Sequence, residues 1–224
     1  MGNWWPKIEP FFETLEPVYK KLQEDASFKK IICPNSKDTF KAFELTDYNN
    51  LKCVVVGMCP YHSLTKKGEM IADGIALSCS KTKELQPSLE NWYIALEEEF
   101  DQDSDREPDL SYLCKEGVLM LNLALTTESQ KAGSHLSLWK PFMEKLFTEV
   151  ISITGVPVLF LGKEAAYGKR WLAPMQWSFE ISHPASAAYS RSKWSSEGVF
   201  KKIKTIVKNN NGFDLNWFNN DTPF

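Results

Sequence analysis

Apolar residues recur at helical spacing between Pro10 and Phe28 (Phe11, Phe12, Leu15, Val18, Tyr19, Leu22), which predicts an amphipathic helix lying on the outside of a sheet. Three shorter runs behave differently. Cys53 to Val56, Gly117 to Leu121 and Val156 to Leu161 are too apolar for half-exposed strands, and each lies near a Gly or Pro, so they predict central strands buried on both faces. Helical patterns separate them at Ser88 to Phe100 and Leu138 to Ile153, and a last one runs from Ser196 to Val207. Ser88 stands where it would cap the first of these. This alternation predicts an α/β chain of three layers, α/β/α, around a central, mainly parallel sheet. In such sheets the ligand crevice lies beyond the carboxyl ends of the strands. Polar clusters fall there: Gly57 to His62, Asn122, Gly162-Lys163, and, after a β-like run from Trp177 to Ile181, His183 to Ser186.

Composition narrows the picture. A chain of 224 residues, 43% of them hydrophobic, can bury the core of one domain spanning 1–224. No apolar stretch approaches the roughly 20 residues that cross a membrane, and the first residues lack the features of a signal peptide, so a soluble, cytoplasmic protein without membrane contact is expected. The five cysteines are scattered, with no C-x-x-C pair, which predicts no disulfide framework, no metal centre and no cofactor cluster. The formal net charge is −3, but it is unevenly spread. Leu96 to Asp109 is crowded with carboxylates, whereas Lys163 to Lys208 holds nine Lys and Arg against three Glu. A basic C-terminal face able to meet phosphate is one reading of this split, and two ordinary solvated faces are the other.

The chemistry-bearing motifs are Gly57-Met58-Cys59-Pro60-Tyr61-His62, Gly74-Ile75-Ala76-Leu77-Ser78, Gln86-Pro87-Ser88-Leu89-Glu90-Asn91, Gly117 to Asn122, Ser134-His135 with Trp139, Leu161-Gly162, and His183-Pro184-Ala185-Ser186. In this order, and over nearly the whole chain, they resemble family 1 uracil-DNA glycosylases. All three histidines of the chain fall inside them. The resemblance implies a protein that flips a base out of duplex DNA and cleaves its N-glycosidic bond, stabilising a cationic sugar and an anionic base. It implies that Asn122 reads the pyrimidine edge, and a side-chain amide carries both the donor and the acceptor this needs. It implies that His183 stabilises the departing base. Ser88, Gly162 and Ser186 match loops that pinch the phosphodiester backbone, Ser134 and His135 match a further DNA-facing segment, and Lys163 adds a phosphate contact. The family works as a monomer without metal or organic cofactor, on DNA as its partner.

The departures lie in the pocket. Cys59 stands where the family has its catalytic aspartate, Met58 where it has glutamine, and Leu77 where it has the phenylalanine that stacks on the flipped base, while Ala187 takes the place of the apolar wedge. Tyr61 is retained where the family's ring rejects thymine, and His62 follows it. The segment Ser63 to Asp73 is longer than its counterpart, and either the DNA phosphates or Asp73 or Glu69 within this segment is expected to offset the missing carboxylate. Three readings stay open at this point: a glycosylase for a modified cytosine such as phage DNA carries, a uracil-DNA glycosylase tolerating these changes, and a DNA-binding or partner-binding protein without catalysis.

Overall fold

The computed structural model describes residues 1–82, 84–187 and 193–219. Its centre is a parallel sheet of four strands, β2 (Cys53–Gly57), β3 (Val118–Asn122), β5 (Val158–Leu161) and β6 (Ser178–Ile181), in the order β3-β2-β5-β6. Two short strands, β1 (Ile32–Cys33) and β4 (Thr127–Glu128), form a separate antiparallel pair. Every residue of β2, β3 and β5 is buried, as their unbroken apolar runs predict, although β3 stands at one edge of the sheet and not in its centre as expected; β6, at the other edge, is only partly buried.

Alternation along these strands divides the core into two. Cys53, Val55, Met120 and Leu159 point to one face and pack with Trp92 and Leu96 of helix Pro87–Phe100 and with Phe200 and Ile203 of helix Val199–Asn211. Val54, Val56, Leu119, Leu121 and Phe160 point to the other, against Trp139 and Phe142 of helix Leu136–Lys145 and against Trp4, Ile8 and Phe11 of the N-terminal segment. Helices therefore cover both faces, which is the three-layer architecture expected. No helix among the described residues is long and apolar enough to cross a membrane.

Three element expectations are corrected. The helix foreseen from Pro10 to Phe28 is broken: Glu9–Leu15 is a 3-10 stretch with Phe11 outside helical geometry, and a regular helix runs only from Glu16 to Ser27. Pro10 and Pro17 each fall in a first turn, where the missing N–H is not needed, so each restarts the helix. The run from Leu138 begins earlier, at Leu136, and ends as a π turn over Leu146–Ile151. Ser88 is not a cap, because Gln86 holds that position and Pro87 opens the helix. Ser88 is released to face the crevice instead.

Candidate active site

The ends of β2 and β3 meet in register, Gly57 opposite Asn122. Leu123 and Ala124 donate their amides to the carbonyls of Gly57 and Met58, so the two chains stay together beyond the strands. The Asn122 side chain folds over Gly57: a Cβ on Gly57 would lie 2.5 Å from Asn122 Oδ1. Glycine is thus required here by a close approach. The Asn122 amide opens into a cavity of about 520 Å³ that also takes in Met58 to His62, Ile75, Leu77, Ser88, Gly162, Lys163, His183 and Ser186. It makes no side-chain hydrogen bond to any described residue. Its donor and acceptor are therefore available to a ligand.

On the opposite wall, β6 delivers His183 into a turn (Pro184–Ser186) that it caps itself: its Nδ1 accepts from the Ala185 amide at 3.1 Å. An accepting Nδ1 places the proton of the neutral ring on Nε2. Burial lowers the His183 pKa below its ordinary value, which keeps the ring neutral. The result is a neutral N–H donor, suited to charge that develops on a leaving group. The turn is held by Asn91 Nδ2 donating to Pro184 O (2.9 Å) and by Trp194 Nε1 donating to Ser182 O (2.9 Å). Gly162, with φ +87°, brings the end of β5 against this turn, where a Cβ would meet His183 Cβ at 3.1 Å. Ser88, Gly162, Lys163 and Ser186 accordingly line one rim of the cavity.

The third wall carries the departures. Cys59 is half-buried, and its sulfur accepts from the Gly133 amide at 3.3 Å. Burial pushes its thiol pKa up, more than this amide pulls it down, so the group is a neutral thiol and supplies no negative charge. Tyr61 donates its hydroxyl to Leu77 O (3.1 Å). Leu77 has φ +64°, a left-handed backbone unusual for a branched residue, and its side chain faces the cavity in a fixed position. His62 lines the same wall through a half-buried ring, whose Nδ1 has no hydrogen-bond partner among the described residues; its carbonyl accepts from Gln130 N (2.9 Å).

Five expected site residues stand elsewhere. Asp73 is fully buried outside the cavity lining, and its carboxylate accepts from Ile75 N (3.1 Å), Ser78 Oγ (2.6 Å) and Ser80 N (3.0 Å). It shapes the turn that carries Ile75 to Leu77 and has no oxygen to offer a substrate, which corrects its assignment as a catalytic carboxylate. Glu69 is exposed in a small hairpin, closed by a Leu64–Met70 bridge and a Thr65 N to Glu69 O bond (2.8 Å), that stands off the cavity. His135, expected on DNA, is buried: Thr126 Oγ1 lies 2.9 Å from its Nδ1 and Asp25 Oδ2 3.4 Å from its Nε2. Ser134 accepts from Glu128 N (2.8 Å) and bonds Thr127 Oγ1 (3.1 Å), closing the turn before His135. Ala187 packs on the core and does not line the cavity, and the chain that follows it, 188–192, lies outside the described residues.

Sequence reasoning missed Gly133 and Glu164. Gly133, at φ +69°, fixes the sulfur of Cys59, and Glu164 contributes the sole carboxylate among the cavity-lining residues described. A glycine two residues before His135 was a visible signal for the first; nothing in the pattern marked the second.

No family model matches the chain. It is 34% identical over 218 residues to the uracil-DNA glycosylase of Mesomycoplasma hyopneumoniae strain 7448, covering 94% of this chain and 96% of that protein. It is 29% identical over 223 residues to the uracil-DNA glycosylase of Bacillus anthracis strain A0248, covering 96% and 95%. Among solved structures it is similar to mimivirus uracil-DNA glycosylase, with TM-score 0.83 and 21% identity over 97% of this chain and 87% of that one. It is also similar to a Nitratifractor salsuginis enzyme of the same name, with TM-score 0.64 and 21% identity over 92% and 91%. The structures speak to the fold, and the full-length likeness in sequence decides the rest: the chain belongs to the uracil-DNA glycosylase family.

Proposed function

We propose that this protein is a monofunctional DNA N-glycosylase that releases uracil from DNA. The observation that carries the reading is the pairing, across one cavity, of the unengaged Asn122 amide with a neutral His183 whose Nε2–H is set free by the Ala185 amide on its other nitrogen. The amide matches the O4 and N3–H of a flipped uracil, and the imidazole N–H faces the negative charge that gathers on O2 as the bond breaks. The C1′–N1 electron pair leaves with the base, water oxygen bonds to C1′, and the water proton ends on solvent or base, leaving an abasic site. With a neutral thiol at position 59, stabilisation falls mostly on the leaving base, and the phosphates of the DNA itself balance the sugar cation.

A modified cytosine is the second reading, favoured by one feature. Leu77 replaces a flat stacking surface by a branched one, and the Asn122 amide turned by half a rotation would serve cytosine's N4 amine and N3. Tyr61, pinned by its bond to Leu77 O, supports crowding at C5 and so weighs toward uracil. Duplexes carrying uracil, cytosine or 5-hydroxymethylcytosine, incubated with purified protein and cleaved by alkali at abasic sites, separate the two. Uracil release that disappears in Asn122→Ala confirms the proposal, release from the modified base alone transfers it, and release from none overturns it.

A further inference from the structure

The short helix Lys163–Ala166 is a partition between the cavity and a second hollow of about 180 Å³, lined by Leu123, Leu136, Ser137, Lys140, Tyr167 and Trp171. Glu164 lines both spaces, so the two lie side by side across this helix. Beside this hollow the Arg170 guanidinium sits over the ring of Tyr167, its Cζ 3.4 Å from the ring centroid, and its Nε donates to Tyr167 O at 3.1 Å. Lys140 Nζ is 5.5 Å from the same ring, and Trp171 meets the ring edge-on at 5.6 Å and holds it in place. Neither Lys140, Lys163 nor Arg170 takes part in any ion pair found among the described residues, although lysines elsewhere, such as Lys52 and Lys145, are paired with carboxylates.

We propose that Lys163, Lys140 and Arg170 form a phosphate track that carries the DNA strand flanking the target nucleotide away from the cavity, past Tyr167. The proposal rests on the glycosylase reading for its ligand. Three cations against the single carboxylate of Glu164 give the track its sign, and the step from Lys163 on the base cavity to Lys140 on the neighbouring hollow gives it its direction. Tyr167 is a positioning residue: it fixes one face and one edge of the guanidinium, leaving the terminal nitrogens to form a two-pronged bond to a phosphate. Such a contact adds affinity without reading sequence.

The test compares a uracil-containing duplex that ends beside the target with one extended by two helical turns, measured by fluorescence anisotropy across a salt series. Arg170→Ala and Lys140→Ala should each weaken the long duplex about threefold to tenfold at low salt and lower the salt slope by about one unit, and Tyr167→Ala, which loses no cation, should weaken it less with a smaller change in slope. The short duplex should change by less than about twofold. Tyr167→Phe should keep the effect of the ring, and Glu164→Gln should tighten the long duplex. Unchanged salt slopes, or equal losses on both duplexes, would overturn the track. Base release with unaltered slopes rejects the track alone, and intact length-dependent binding with no base released rejects the glycosylase reading alone, so the two failures are distinguishable.

Discussion

His135 and His183 belong to motifs of equal standing in the sequence, yet the structure gives them opposite employment. His183 is held from behind, by an amide on Nδ1, and turns its other nitrogen into the cavity. His135 is held on both sides: Trp139 Nε1 donates to Thr126 Oγ1 (2.8 Å), the Thr126 hydroxyl is left to donate to Nδ1, and Nε2 faces Asp25, itself paired with Lys21 (2.9 Å) and Lys30 (2.8 Å). A histidine with one nitrogen engaged can act on a ligand, and one with both engaged can only hold the fold. The second still serves the first's chemistry at a distance, because the turn it anchors carries Gly133, the donor to Cys59.

The comparison breaks most sharply on a pair of substitutions. His183→Ala should lower base release about 10²- to 10³-fold while the urea midpoint falls less than in His135→Ala, since one donor to developing charge is lost and the half-buried Ala185 amide can turn to water. His135→Ala should do the reverse, costing about 1–3 kcal/mol in urea unfolding by leaving the buried Thr126 hydroxyl without its acceptor, with release per folded molecule nearly kept. If His135→Ala lost activity without losing stability, the division between the two would be wrong. Gly57→Ala should cost about 10²-fold in release, because its methyl displaces the Asn122 amide, and Gly57→Ala combined with Asn122→Ala should cost no more than Asn122→Ala alone.

Cys59→Asp sharpens the contrast between the retained and the altered walls. A carboxylate accepting from Gly133 N–H would restore negative charge beside the sugar, so single-turnover release should rise about tenfold or more. A fall would show that the altered wall has been rebuilt for a thiol. The smallest effect is in pH. Burial lowers the pKa of both His135 and His183 below the ordinary 6.5, in His135 outweighing the pull of Asp25. Stability from keeping these rings neutral is complete above pH 6.5 and drains away as pH falls through the lowered folded values. Release should therefore persist below pH 6.5 before dropping, and the urea midpoint should decline over the same acid range, less steeply in His135→Gln.

The layers of this fold were legible because β2, β3 and β5 are buried on both sides and say so in unbroken apolar runs. The Asn122 and His183 positions were legible because strand ends mark the crevice and the motifs that hold them match the family. What escaped were matters of direction. Asp73 reads as a spare carboxylate in a long loop, and only the turn around it reveals that Ile75, Ser78 and Ser80 consume its oxygens. Ser88 reads as a cap, and the neighbouring proline moves that duty to Gln86. His135 reads as a DNA contact, and its partner Asp25 lies 110 residues earlier, on a helix whose pattern gives no hint of the meeting.

The contact of Gly57 with Asn122 has a consequence for how this site can diverge. The two positions sit on neighbouring strands and are inherited separately along the gene, but sterically they are a single choice: so long as the amide covers residue 57, no side chain can be accepted there. A descendant that exchanged the amide for a smaller group would be freed at position 57 as well, and one that first mutated the glycine would lose base reading before gaining anything. Change can enter this corner of the site through Asn122 and not through Gly57, which leaves the third wall, at Met58, Cys59 and Leu77, as the open route by which the pocket accumulates differences.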